Sequence, residues 1–257
     1  MPDAKPDTAT QFSRQAEAYA QSASHAADAD LDIVADFAAA GPKDRCLDIA
    51  CGPGHTAFRI ARTAGFVVAA DIAPGMLATA RRLAAERGLH NVAVQFADAG
   101  ALPFPAAAFD VVTCRIAPHH FPDIPAFIRE AARVLKPTGR LVIEDSMAPE
   151  DPAQASFLDE LERRRDATHV LTLSRAQWLE ALASAGLDVT DERIFAKTHD
   201  FPAWVRRTGL DERQVAAIDS WAQTAPAAVR DALLDVERGR ILRLRDHKFV
   251  IRASRTG

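Results

Sequence analysis

The sequence predicts an α/β fold: a seven-stranded, mostly parallel sheet with an antiparallel last strand and helices on both faces. Three observations carry that expectation. From Arg45 onward, short apolar runs alternate with helically periodic segments, the rhythm of parallel strands joined by crossover helices. The runs are apolar throughout rather than alternating, as strands buried on both faces are. Lys136-Pro137-Thr138-Gly139 ends one periodic segment and turns the chain into the next strand, as Pro and Gly commonly do.

Taken in order, residues 1–10 are polar and contain Pro, and are expected to lack regular structure; residues 11–40 read as two Ala-rich helices. Strands of buried character follow at Cys46–Ile49, Phe66–Ala70, Val92–Phe96, Phe109–Cys114 and Arg140–Glu144. Between them, Met76, Leu77, Ala80, Leu83 and Ala84 fall on one helical face, and Phe127, Ala131, Val134 and Leu135 on another. Residues 151–186 read as helical, and Val189–Thr198 and Leu242–Ser254 as two further strands. A helical insertion over 200–236 separates those two, carrying Trp204, Val215, Ile218, Trp221, Val229 and Leu233. No repeat or long linker divides the chain. Residues 1–257 are therefore expected to form one domain, with cap helices at 11–40, a ligand-binding core at 41–150 and a C-terminal part at 151–257.

At 257 residues and 48% hydrophobic the chain is long enough for one sizeable core. A net charge of −4 supplies no overall positive field for nucleic acid or an anionic membrane. The basic stretch Arg238, Arg240, Arg243, Arg245, Lys248, Arg252 and Arg255 alternates with apolar residues and reads as a strand with one solvated face. There is no apolar run of about 18 residues for a membrane span, and no apolar segment of a secretory signal, so a cytoplasmic protein is expected. Cys46, Cys51 and Cys114 are too few and too irregularly spaced for a disulfide framework or a zinc site, and are expected as buried thiols. No His/Asp/Glu pair has metal spacing, so no metal is expected.

The chemistry-bearing constellation begins at Leu47-Asp48-Ile49-Ala50-Cys51-Gly52-Pro53-Gly54-His55-Thr56. Glycines at the end of a first strand let the backbone pass close to a ligand. A lone Gly-x-Gly is weak evidence; its spacing to later acids strengthens it. Asp71 closes the second strand, 71 − 48 = 23 residues on, where a carboxylate can accept from both ribose hydroxyls. Asp98, after the third strand, can accept from an adenine amino group. A helix N-cap or turn role would explain either acid alone, but not three acids at consecutive strand ends in register with the turn. A dinucleotide site predicts a third glycine, and that position is Ala57. Asp48 also suits a sulfonium or amino-acid ligand better than a pyrophosphate, which it would repel.

Residues 45–147 resemble the methyltransferase domain of the class I S-adenosylmethionine (SAM)-dependent family that includes the ubiquinone/menaquinone-biosynthesis enzymes, and more closely a bacterial subgroup of small-molecule methyltransferases. The stretches LDIACGPGHTA, ADIAPGML, FADAGALPF, VVTCRIAPHHFPD and VLKPTGRLVIEDSMAPE carry the resemblance, which extends through ERRRDATHV and DFPAWVRRTGL. The resemblance implies a Rossmann-like fold with SAM as cofactor and a small molecule as methyl acceptor. It implies Asp48, Gly52 and Gly54 at the methionine end and Asp71 on the ribose. Ile72 would lie beside the adenine, with Asp98 and Ala99 at the adenine edge. Arg115 would border the methionine carboxylate or the acceptor. Ala50 stands where many family members have Gly. Tyr19, the single tyrosine, matches an aromatic that closes over the cofactor, where a ring face attracts a sulfonium; simple helix packing is the other reading.

Methyl transfer is an in-line displacement that mainly needs an aligned, deprotonated nucleophile. Candidate bases cluster after the fourth and fifth strands: His119, His120, Asp123, Glu144 and Asp145. Of these, His119 is favoured as general base, His120 as a packing residue, and Asp145 either faces the acceptor or caps a loop. His55 is expected to pack or cap; His169 and His199 read as isolated polar residues. Asp71 is expected at an exposed strand end. Phe12, Trp178, Phe201, Trp204 and Trp221 either line an apolar acceptor pocket beneath the caps or belong to the core. The expected activity is O-, C- or N-methylation of a small, fairly hydrophobic metabolite. A SAM-binding protein without activity and a nicotinamide-dependent oxidoreductase are the alternatives.

Overall fold

The apolar runs pair side by side in parallel because each needs both faces covered. In the computed structural model, which describes residues 8–21 and 29–256, β1 (Arg45–Ile49) lies between β2 (Phe66–Asp71) and β4 (Phe109–Arg115). Outside these lie β3 (Val92–Phe96) and β5 (Leu135–Met147). A β6 strand (Leu187–Asp200), a short β7 (Leu234–Glu237) and β8 (Arg240–Arg255) complete a sheet of order β3-β2-β1-β4-β5-β8-β6, with β7 paired to β8. β8 runs antiparallel to β5, β6 and β7. The order reverses between β1 and β4, and the crevice beyond the carboxyl ends at such a switch point is where open α/β sheets take ligands.

Alternation along the strands sorts side chains into two cores. Leu47, Ile49, Val112, Leu141 and Ile143 point to one face, under α5 (Ile124–Val134) and α7 (Arg175–Ser184), where they meet Phe127, Ile128, Trp178 and Leu182. Cys46, Val67, Ala69, Val111 and Val142 point to the other. There α2 (Ala29–Ala38), α3 (His55–Ile60) and α4 (Pro74–Glu86) supply Val34, Phe58 and Ala80. Each fully buried large apolar side chain stabilises the fold by about 1.5–3 kcal/mol. A third cluster joins α6 (Pro152–Arg165) to α8 (Phe201–Arg206), α9 (Glu212–Ala222) and α10 (Ala227–Leu233), through Leu161, Trp204, Ile218 and Leu233. The first helix, α1 (Thr8–Gln21), docks separately on α4: Gly75 N–H donates to Ser13 Oγ at 3.1 Å. A Cβ at Gly75 would stand 2.5 Å from the Ser13 carbonyl oxygen, so only glycine admits this approach.

The structure corrects several expectations. The seven expected strands form the sheet's continuous path, and to them the short Leu234-Asp235-Val236-Glu237, assigned to the helical insertion, adds an eighth by pairing with β8. β3 is not buried: as an edge strand it leaves Phe96 57% exposed. Residues 166–174 interrupt the helix expected over 151–186, after α6 ends at Arg165. Lys136–Gly139 belongs to β5 as a register shift rather than a separating turn. Part of the expectation for residues 1–10 lies outside the described residues; 8–10 are already helical. Of the two N-terminal helices only α1 reaches the ligand crevice, since α2 packs against the sheet.

Candidate active site

The turn leaving β1 is built by left-handed backbone. Ala50, Gly52 and Gly54 have φ of 53°, 54° and 98°. Cys51 N–H donates to Ala70 O and Gly54 N–H to Cys51 O, each at 2.9 Å. A Cβ on Gly54 would lie 2.4 Å from Phe58 Cζ, so α3 packs directly beneath it. Two acids lock the turn from below. Asp71 accepts Gly52 N–H and Ala73 N–H, both at 2.8 Å, and Asp48 accepts the Thr113 hydroxyl at 2.7 Å and Ala57 N–H at 3.1 Å. Burial pushes Asp48 up to about 7 against those hydrogen bonds and the charge of Arg115. It raises Asp71 as well, opposed by the backbone donors. Asp71 is only 7% exposed, contrary to the exposed strand end expected of it.

Above this turn lies a cavity of about 270 Å³. Tyr19, Asp48, Ala50, Gly52, Asp71, Ile72, Asp98, Ala99 and Arg115 all line it. Gly54 is not among its lining residues: it shapes the turn over Phe58 instead of facing the space. Phe12 and Tyr19 roof the cavity from α1, edge to face at 5.8 Å. His55, Thr56, Met76 and Ile116 also line it, none of them assigned there from sequence, as does His120, expected as a packing residue in support of the site. His55 packs as expected, buried with Nε2 3.2 Å from Tyr19 O. Arg115 Nε donates to Thr56 Oγ1 at 3.0 Å, and its Nη1 lies 3.6 Å from Glu144 Oε2. Glu144 is fully buried behind Arg115, lines neither this cavity nor its neighbour, and is pushed up to about 7 chiefly by burial. Asp123 caps α5 by accepting Ala126 N–H at 2.7 Å. Neither is a base at the site.

A smaller cavity of about 100 Å³ adjoins the first and shares Phe12, Tyr19, Ile116 and His120 with it. Ile116, a β-branched residue, sits in the left-handed region at φ 51°, a strained conformation that recurs at functional sites. His119 lines only the smaller cavity. Its Nδ1 lies 2.6 Å from Asp145 Oδ1, and its N–H donates to Asp145 Oδ2 at 2.9 Å. Burial alone would lower the His119 pKa, but the charge and hydrogen bond of Asp145 outweigh it and raise it; Asp145 is held low in return. His120, 4.1 Å from His119 between ring centroids, has Nδ1 3.2 Å from the Thr168 carbonyl. Burial and the neighbouring His119 push it down, so it is neutral.

Other expectations change here. His169 and His199 are not isolated: they pair with Asp159 at 2.7 Å and Asp246 at 3.1 Å, and His199 lines the smaller cavity. Phe12 and Trp204 reach that cavity, but Trp178 and Phe201 are core residues and Trp221 stacks on Phe157 at 5.2 Å. The acceptor-side walls are therefore charged, with Arg165, Lys197, Asp246 and Lys248 among them. The basic strand read as having a solvated face in fact buries Asp246 and Lys248. They share the inward parity of Leu244 and Val250 on β8, which the alternating pattern already contained. All three cysteines are buried, and burial raises each thiol. Among the described residues no cluster of three His, Cys, Asp or Glu is placed to hold a metal ion, and no helix is long and apolar enough to cross a membrane.

A family model described as "Methyltransferase domain" matches residues 47–143. The chain is similar to the uncharacterized methyltransferase YcgJ of Bacillus subtilis (strain 168), at 36% identity over 222 residues, covering 86% of this chain and 88% of that protein. It resembles the solved structure of protein BH2331 of Bacillus halodurans C-125 with a TM-score of 0.86 at 32% identity, covering 89% of this chain and 99% of that one. The demethylmenaquinone methyltransferase of Thermus thermophilus is 45% identical over 116 residues, 44% of this chain and 52% of that protein.

Proposed function

Because the chain belongs to the class I SAM-dependent methyltransferases, we propose that it methylates a small molecule held in the smaller cavity, with the cofactor in the larger one. The observation that carries this reading is the shared wall: the two cavities meet at Phe12, Tyr19, Ile116 and His120. SAM supplies an electrophilic methyl on a sulfonium. The larger cavity suits it because Asp48, Asp71 and Asp98 face an otherwise largely apolar space. Each Asp71 oxygen holds one backbone N–H and keeps a lone pair for a ribose hydroxyl. Asp98, with Oδ1 on Gly100 N–H at 2.8 Å, offers its other oxygen to the adenine amino group. Asp48 is drawn to its ionised form by a nearby cation.

On the acceptor side, His119 takes the proton of an acidic O–H or N–H at Nε2 while Asp145 stabilises the imidazolium. His120, neutral, forms the wall between cofactor and acceptor. Charged walls favour an acceptor with polar groups over the fairly hydrophobic one expected from sequence. The test is to incubate the protein with SAM and a fractionated metabolite extract, following S-adenosylhomocysteine (SAH) and the methylated product by mass spectrometry. The expected result is SAH matched by one product enlarged by a methylene. Binding of SAM with no turnover on any fraction would favour a non-catalytic SAM-binding protein instead.

A further inference from the structure

The smaller cavity holds a buried cation that no carboxylate claims. Lys248 is 6% exposed, and among the described residues its Nζ makes one hydrogen bond, to the neutral Ser146 Oγ at 2.9 Å. No acid comes within ion-pair distance of it among the described residues: the nearby buried Glu144, without a hydrogen-bond partner, lies against Arg115 at 3.6 Å, and the others are engaged elsewhere. Asp246 is bound by His199 at 3.1 Å, Glu162 by Arg165 at 2.7 Å, and Asp145 by His119 at 2.6 Å. Asp166 accepts from Gln11 at 2.9 Å and from Thr168 Oγ1 at 2.7 Å. An ammonium carries three donors, and burying one with donors unfilled is costly unless something completes its shell.

Strand register puts this cation in the cavity floor. Ser146 pairs with Lys248, and Lys197 with Asp246, so β5, β8 and β6 present a polar row on one face. Leu244 and Val250 flank that row on β8, both fully buried. The row continues into the buried Glu144, which pairs with Val250, and its members Ser146, Lys197, Asp246 and Lys248 all line the smaller cavity.

We propose that Lys248 is the anion-recognition group of the acceptor site, so that the methyl acceptor carries a carboxylate or a phosphate that caps Lys248 Nζ. The proposal rests on the methyltransferase reading of the paired cavities. It makes the anion the anchor: held at the sheet floor, the acceptor presents its nucleophile to the wall at Ile116 and His120.

The test measures binding of benzoate, phenyl phosphate and neutral benzamide by calorimetry at constant ionic strength, with and without SAH. One of the anions is expected to bind at least tenfold more tightly than benzamide, benzoate if the anchor is a carboxylate and phenyl phosphate if it is a phosphate. In Lys248→Met that preference should fall at least tenfold while SAH affinity stays within twofold. Equal binding of the three probes to the wild type would overturn the proposal, as would an intact preference in Lys248→Met. If Lys248→Met does not fold, the wild-type comparison decides alone. Failure to bind SAH would instead strike the methyltransferase reading, and the titrations without SAH would still report on the anion site.

Discussion

The larger cavity is floored by main chain and short side chains at the ends of β1 to β4 under a roof of Phe12 and Tyr19, whereas the smaller one is walled mostly by long polar side chains scattered from His119 to Lys248. In the first, backbone donors and buried acids fix one another: Asp71 holds Gly52 and Ala73, and Asp48 holds Ala57. In the second, side-chain pairs such as His119–Asp145 and His199–Asp246 do the positioning. A site fixed by backbone keeps its ligand when neighbouring side chains change. A site fixed by side chains can be retuned to a new acceptor without disturbing the first. The two should accordingly fail separately when mutated.

The largest expected effect tests that separation from the acceptor side. His119→Ala should slow methyl transfer about 10²–10⁴-fold and leave SAM affinity within twofold, measured by single-turnover kinetics and calorimetry. The wild-type rate should rise with pH through a midpoint above the ordinary histidine value, because Asp145 raises His119, and that limb should vanish in the variant. The same pairing gives the opposite slope in stability: it is fully present below the unfolded histidine value and is lost as pH rises through the folded one. A parallel loss of SAM affinity would show that the cavities are not independent.

Asp71→Ala attacks the cofactor side and should weaken SAM binding roughly 10–150-fold. Because Asp71 is buried on two backbone N–H groups, the variant should also lose on the order of 1–3 kcal/mol of stability, seen in denaturant melts. Affinity within twofold of wild type would remove Asp71 from the cofactor site, whatever happened to stability.

Asp48 gives a smaller effect with two opposed signs. Burial lifts it to about 7, above its unfolded value, so the ligand-free protein should lose stability as pH rises towards and through 7. A bound cation favours the ionised form, so SAM affinity should rise over the same range, by roughly 3–10-fold. Asp48→Asn should flatten both curves. A SAM affinity that stays level with pH in the wild type would mean the sulfonium end lies away from Asp48.

How much of this was legible follows the same division. Strand ends, the glycine turn and Asp48, Asp71 and Asp98 lie in short local patterns, and nine of the ten residues assigned to the cofactor line the larger cavity. Gly54, the tenth, does not line that cavity, and its position over Phe58 shows that a glycine in such a turn can serve the layer beneath as well as a ligand above. The pairs Lys248–Ser146, His199–Asp246 and His169–Asp159 are separated in sequence by up to 102 residues, and no local period joins them. Strand parity could have shown Asp246 and Lys248 facing inward with Leu244, but not what they would meet.

The smallest effect concerns Ala50, in the turn that leaves β1. Its φ of 53° is left-handed, which costs a residue with a Cβ about 1–2 kcal/mol. Ala50→Gly removes that strain but gives the unfolded chain more freedom, a loss of about 0.5–1 kcal/mol. The two nearly cancel, and the partly buried methyl, packed against the first core, contributes a little more against glycine. Net stability should therefore change by less than about 1 kcal/mol, and SAM affinity by less than twofold. Ala50→Val, with a branched side chain forced into the same conformation, should lose clearly more of both. This pair separates backbone from side chain at a residue that lines the larger cavity. If Ala50→Gly weakened SAM tenfold, the methyl itself would be a ligand contact, and the larger cavity would depend on side chains as the smaller one does.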